Sequence, residues 1–267
     1  MVRDMTIGQF YNADSVIHRL DPRVKITIAM IYVISLFFDQ NPVLYMVCFA
    51  VLLGYIRLSR VPLRFILRGI KALGMVILLT VVLNLFTVQG AETLFEWGFL
   101  RITTVGVESA IYLGLKLVMM IIGSGMMTYT TTPNALTDGL EGMLGWMKRL
   151  SVPVHEFAMI MSIALRFVPI LLEEMDRIMK AQMARGIDFK EGNLFIRLRK
   201  LMPILIPLLV SAVRRSNELA LAMDARCYHG GEGRTKMNPL IYRREDYIAY
   251  IFVIIYLAGT IFLAVKC

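Results

Sequence analysis

Residues 72–88 read ALGMVILLTVVLNLFTV, 17 consecutive positions without a charged side chain. A helix needs roughly 17–25 predominantly apolar residues to cross a hydrocarbon core, and this run is far longer than an ordinary strand. Working outward, comparable segments occur near 24–38 (VKITIAMIYVISLFF), 43–56 (VLYMVCFAVLLGYI), 107–128 and 247–265. Five spans follow, although the first two, at about 15 residues each, are short enough to form a buried or re-entrant hairpin instead. Composition agrees: 57% of the 267 residues are hydrophobic, 18% are charged and the mean hydropathy is +0.64. A bilayer is therefore part of the solvent. The predicted fold is all-α, a polytopic membrane protein with about five transmembrane helices and a cytosolic domain of long helices.

The net charge of +9 is distributed by position. Arg3, Arg19, Arg23 and Lys25 cluster at the start of the first span, and Arg57, Arg60, Arg64, Arg68 and Lys71 separate the second from the third. The stretch from Asp39 to Pro42 has no Lys or Arg, and residues 89–106 offer only Arg101 against Glu92 and Glu96. The positive-inside rule places the basic regions in the cytosol. The expected organisation is an N-terminal membrane bundle at 1–132 entered from the cytosol, a cytosolic or interfacial domain at 133–246, and a C-terminal transmembrane helix at 247–267. It implies a multi-pass protein of the plasma membrane whose C-terminus is extracytosolic. Basic residues at span ends account for the charge without nucleic acid as a partner.

Cys48, Cys227 and Cys267 show no CxxC or Cys/His ligand spacing, so neither a disulfide framework nor a metal site is expected. Residues 1–23 lack the apolar core of a cleavable signal, so the first apolar segment is expected to stay as an anchor.

Residues 133–246 hold 17 Lys or Arg against 13 Asp or Glu, yet contain long apolar stretches. Thr132-Pro133-Asn134 opens a short helix, and Ser151-Val152-Pro153 stops it and starts another. Two long helices follow, about 153–185 and 192–226. The first is apolar nearly all round as far as Leu172 and charged from Glu173; the second is apolar from Leu201 to Val213, with Pro203 and Pro207 expected to bend it. They read as arms reaching from membrane to cytosol.

Each arm ends alike. Ala184-Arg185-Gly186 closes the first and Ala225-Arg226-Cys227 the second, 41 residues later. Either tripeptide alone is a plain helix end, with Arg favourable against the macrodipole and Gly a natural cap. Two copies at the tips of matching arms point instead to docking, because small flanking residues allow close approach while Arg offers a rigid fork of donors.

The opening DSVIHRLDPRVK (14–25), the run LRFVPILLEEMDRIMKAQMARG (165–186) and the second Ala-Arg pair followed by Tyr228 resemble the transmembrane T components of energy-coupling factor (ECF) transporters over essentially the whole chain. The resemblance implies a coupling subunit whose partners are two ABC-type ATPase subunits, a membrane-embedded substrate-binding S component and the lipid bilayer, serving uptake of vitamins or transition-metal ions. ATP and Mg would be bound by the partner subunits, with no cofactor on this chain. It also implies that Ala184, Arg185, Gly186, Ala225, Arg226 and Cys227 insert into the ATPases. Cys227 departs from the commoner Gly, and Cys adopts positive φ less readily.

Methionine is frequent at 19 residues, and Met159, Met161, Leu165, Leu205, Leu208 and Leu209 are candidates for contact with the substrate-binding subunit; ordinary helix packing explains them equally well. Asp21, Pro22 and Arg23 read as structural, a helix start with a cytosolic anchor. The chain has no HExxH, GxSxG or Gly-Lys-Ser/Thr loop, so an enzyme is not expected. The alternative is a stand-alone permease with its own translocation path, for which Glu108, Lys116 and Asn84 would be the polar candidates.

Overall fold

A computed structural model describes residues 10–38, 42–88, 93–97, 100–150, 152–189, 193–230 and 239–266. Arg3, Asp39, Glu92 and Cys267, used in the charge and cysteine readings, lie outside the described residues. In chain order the elements are α1 (Val16–Arg19), α2 (Pro22–Ser35), α3 (Pro42–Ser59), α4 (Leu63–Thr87), β1 (Thr93–Trp97), β2 (Leu100–Thr103), α5 (Thr104–Thr130), α6 (Pro133–Met143), a 3₁₀ helix (Leu144–Leu150), α7 (Val154–Ala184), α8 (Leu194–Ala225) and α9 (Arg244–Lys266). The chain divides into two compact units. One draws on Gly8–Gly142 and Leu240–Cys267, the other on Met143–Pro239.

The fold is helical as expected, with one addition. The loop between α4 and α5 carries a short antiparallel hairpin pairing Phe95 with Ile102 and Trp97 with Leu100. Aromatic and β-branched residues there favour extended backbone, and the segment is too short for a stable helix.

Five described helices are long and apolar enough to cross a membrane: Pro42–Ser59, Leu63–Thr87, Thr104–Thr130, Val154–Ala184 and Arg244–Val265. Four coincide with segments read as spans from sequence. The segment near 24–38 instead forms α2, whose 14 residues reach about 21 Å against the roughly 30 Å of a hydrocarbon core. Its place among the five is taken by the first long arm. α4 begins nine residues before the apolar run at 72, carrying Arg64, Arg68 and Lys71 in its first turns, where long basic side chains lie along a helix with their heads toward water.

In the first unit, α2, α3 and α5 build a core of Tyr32, Leu36, Leu44, Tyr45, Cys48, Leu52 and Met119, against which Tyr256 of α9 packs. The Tyr256 hydroxyl of α9 lies 2.6 Å from Ser35 Oγ and 3.1 Å from Cys48 Sγ, tying α9 to α2 and α3.

The DSVIHRLDPRVK stretch builds a buried polar knot in the same unit. Asp21 caps α2, its Oδ1 accepting from the Arg23 N–H at 2.9 Å. The Asp21 N–H donates to Oδ1 of Asp246 at 2.8 Å, while Asp246 Oδ2 accepts from the Arg243 N–H at 2.7 Å and so caps α9. Lys25, only 3% exposed, donates to the carbonyls of His18 (3.0 Å) and Thr130 (2.9 Å). A buried ammonium is tolerable only with such partners. Pro22 and Arg23 form the seat for α6: a Cβ on Gly139 would lie 2.9 Å from Pro22 Cβ, and one on Gly142 would collide with the Arg23 guanidinium. Arg23 also lies over the Tyr242 ring, 5.5 Å from its centroid. Asp21, Pro22 and Arg23 thus join the starts of α2 and α9 to the face of α6.

In the second unit α7 and α8 pack together. Each runs unbroken through internal proline: Pro169 in α7, Pro203 and Pro207 in α8. Pro207 has no N–H to offer the Pro203 carbonyl four residues back. That carbonyl accepts instead from Gln182 Nε2 of α7 at 3.4 Å, so the helical defect becomes a contact between the arms. Lys200 Nζ donates to the Asp188 carbonyl at 2.6 Å, and Arg215 pairs with Glu174 at 3.7 Å.

Candidate functional site

The two Ala-Arg tips have the same local architecture. At the end of α7, Arg185 is the last helical turn's cap (φ −85°, ψ 6°) and Gly186 swings to φ +88°. The Gly186 N–H donates to Met183 O at 3.0 Å and the Ile187 N–H to Gln182 O at 3.1 Å. These two bonds define a Schellman cap. At the end of α8 the Cys227 N–H donates to Asp224 O at 2.9 Å and the Tyr228 N–H to Met223 O at 3.1 Å, with Cys227 at φ +55°. Cys227 therefore adopts the left-handed conformation that the sequence pattern gives to Gly, against a penalty of about 1–2 kcal/mol for a residue with a Cβ. The carbonyl of Cys227 also faces His229 Nδ1 at 2.8 Å.

The chain is thus reversed sharply just after each arginine. Ala184, Arg185, Gly186, Ala225, Arg226 and Cys227 are all exposed. Both guanidinium groups stand at a helix C-terminus, and no side chain larger than Cys flanks either one.

The arms carry the tips apart. Glu174 of α7 meets Arg215 of α8, and eight residues later Gln182 meets Pro203, twelve residues back along α8. The helices therefore run antiparallel. Arg185 lies 11 residues beyond Glu174, and Arg226 lies 11 beyond Arg215 in the opposite direction, so at 1.5 Å per residue each tip projects about 16 Å from that bridge. The two tips are on the order of 30 Å apart at opposite ends of the pair.

The family described as cobalt transport protein (CbiQ) matches residues 13–237. The chain is 48% identical over 250 residues to the energy-coupling factor transporter transmembrane protein EcfT of Acidaminococcus fermentans, covering 92% of this chain and 91% of that one. It is 46% identical to EcfT of Clostridium kluyveri, covering 96% and 95%, and 40% identical to EcfT of Bacillus subtilis, covering 98% and 99%. The chain belongs to the EcfT family. It is a multi-pass membrane component of an energy-coupling factor transporter, and EcfT itself is not an enzyme.

The remaining candidates of this EcfT chain divide by exposure. Met161, Leu205 and Leu209 are exposed, whereas Met159, Leu165 and Leu208 are half-buried. The exposed apolar face of α7 runs through Phe157, Ile160, Met161 and Val168, and that of α8 through Leu198, Met202, Leu205, Leu209 and Val213. The helical spacing of 157, 160, 161 and 168 was available in the sequence as the signal for this stripe. Gln182 was also missed; the clue was Pro207, which leaves the Pro203 carbonyl on the facing helix without its helical donor. Lys116, central to a permease reading, is half-buried and lies over the exposed Phe37 ring at 3.9 Å from its centroid, a contact that satisfies the charge without a translocation path. Asn84 is half-buried and Glu108 exposed.

Proposed function

We propose that this EcfT chain is the mechanical coupling subunit of its transporter, with Arg185 and Arg226 as the docking points for two ABC-type ATPase subunits. The observation that carries this reading is the pair of Schellman-capped Ala-Arg tips at opposite ends of antiparallel arms. Each presents one exposed guanidinium beside a small residue, a form suited to a groove lined by carboxylates or backbone carbonyls. A separation on the order of 30 Å suits two separate subunits better than one.

ATP and Mg are bound by those partners. Closure of the ATPase pair on ATP displaces the tips relative to each other. The α7–α8 contact, held by Glu174–Arg215 and Gln182–Pro203, converts that displacement into movement of the apolar stripes. A separate membrane-embedded S component rests on the stripes through Met161, Leu205 and Leu209 and their exposed neighbours, and delivers vitamins or transition-metal ions. By the positive-inside rule the basic segment Arg57–Lys71 between α3 and α4 is read as cytosolic, with the arm tips on that same side of the plasma membrane and the C-terminus outside.

The test is co-purification with the two ATPase subunits, comparing the native chain with the Arg185→Glu, Arg226→Glu double variant, and scoring ATP hydrolysis coupled to transport. Loss of both assembly and coupling in the variant is expected. Equal recruitment of the ATPases by native and variant chains sinks the docking assignment and leaves the arginines as ordinary helix caps.

A further inference from the structure

A cavity of about 560 Å³ lies in the first unit between α2, α3 and α9, with Val16 and Ile17 of α1 lining one end. Its walls are apolar, with Ala29 from α2, Ala50 and Gly54 from α3, and Ala249 and Phe252 from α9 among them. Small residues on α2, α3 and α9 leave the space unfilled. It falls within the roughly 300–1,000 Å³ range of small-molecule sites. A partner helix of 18 residues, about 27 Å long and 10–12 Å across, occupies on the order of 2,000 Å³ and is far too large to be enclosed there. A single flexible hydrocarbon chain is the right size. Because α3 and α9 are both candidate spans, hydrocarbon chains are also what surrounds the opening.

The mouth beside α1 is basic. Ala50, Gly54 and Arg57 stand four and three residues apart on one row of α3, so Arg57 continues the lining by one turn. Arg244 sits four residues before Ile248, another lining residue, on α9. Arg19 belongs to α1, whose Val16 and Ile17 line this end of the cavity together with Leu20 just beyond the helix. Arg60 has φ +56° and reaches the Asp14 carbonyl at 3.4 Å, two residues from Val16. Against these four arginines stand Glu245 in the lining and Asp14, which pairs with Arg19 at 3.6 Å. The balance is net positive beside an apolar slot.

We infer that this crevice binds an anionic phospholipid, one acyl chain inserted between α2, α3 and α9 and the phosphate held by the arginines at the α1 end. Hydrocarbon fills a volume that water would occupy at a loss, and Arg matches phosphate with paired donors. The lipid then acts as a wedge between α9 and the α2–α3 pair.

The full chain is purified in mild detergent and its bound lipid is read by native mass spectrometry, with phosphatidylglycerol and phosphatidylcholine of identical acyl chains in competition. One phosphatidylglycerol per chain is expected, preferred at least tenfold over phosphatidylcholine. Gly54→Leu and Ala249→Phe fill the crevice; a Cβ at Gly54 meets no atom within 4 Å, so the added bulk has room. Each is expected to reduce bound lipid about tenfold without lowering the thermal melting midpoint. Arg19→Gln with Arg57→Gln is expected to keep a lipid but lose the headgroup preference. Unchanged retention in the filled variants, or a preference that survives removal of the arginines, overturns the inference. As a measurement independent of variant folding, phosphatidylglycerol with a photoreactive acyl chain is cross-linked to the native chain. Adducts within 50–58 and 248–256 support the site; adducts elsewhere only, or capture of another protein's helix at these positions, overturn it.

Discussion

Exchange of the αL residues at the two tips tests whether the arms end in rigid caps. Gly186 has φ +88°, and a Cβ added there would meet no atom within 4 Å, so Gly186→Ala acts through the backbone alone. The left-handed conformation costs a residue with a Cβ about 1.5 kcal/mol, offset by about 0.7 kcal/mol because Ala loses less freedom than Gly on ordering. The net loss is about 0.8 kcal/mol, roughly a fourfold change in the opening equilibrium of the cap. Cys227→Gly reverses the sign: the φ of +55° is relieved and the second cap closes about fourfold more tightly. The readout is amide hydrogen exchange, followed by mass spectrometry in peptides ending near 190 and 230. The Gly186 and Ile187 amides, which donate to Met183 and Gln182, should exchange faster in Gly186→Ala; those of Cys227 and Tyr228 should exchange slower in Cys227→Gly. Rigid αL caps are refuted if both variants move exchange in the same direction, or if neither moves it by as much as twofold.

Three further outcomes are expected. Asp246→Ala leaves the buried Asp21 N–H without its acceptor and uncaps α9, at a cost of about 1–3 kcal/mol, seen as a clear fall in melting midpoint, with Asp246→Asn recovering part of it. His18 is neutral in the fold, its Nε2–H donating to Tyr11 O at 2.9 Å while Nδ1 lies 2.7 Å from Ser15 Oγ; burial holds its pKa below the ordinary 6.5. The unfolded chain therefore takes up the proton first, and stability should be full above pH 6.5 and decline as pH falls below it, a slope that His18→Gln flattens. Gln182→Ala should weaken the α7–α8 contact by about 0.5–1.5 kcal/mol, and the effect should shrink in a Pro207→Ala background, where the restored N–H satisfies the Pro203 carbonyl within α8. Additivity in that double-mutant cycle would show that the two do not share the carbonyl.

Much of the architecture was legible along the chain because hydrophobic length is a local property. The run at 72–88, the long arms and the C-terminal span all appear as helices close to their predicted positions. Helix ends at 186 and 227 were legible because a cap is a matter of five or six adjacent residues. Local pattern left the segment near 24–38 open between a span and a buried hairpin: its apolar run continues past the helix through Leu36, Phe37 and Phe38, while α2 stops at Ser35, whose hydroxyl turns back to the Tyr32 carbonyl. The hairpin at 93–103 was missed for the converse reason, since four or five residues of β-favouring composition acquire structure only by pairing.

By itself, then, the sequence determined the solvent, the helical class and the existence of two like tips, because apolar length, charge placement and cap chemistry are written in neighbouring residues. Only tertiary structure decided that Asp21 meets Asp246 across 225 positions, that Lys25 ends on the Thr130 carbonyl and that Gln182 answers the defect left by Pro207. Those are pairings between residues distant in sequence, and no periodicity specifies them. The antiparallel arms that set the tips apart and the unfilled space between α2, α3 and α9 belong to the same class: each depends on which faces meet, and that is settled when the helices pack.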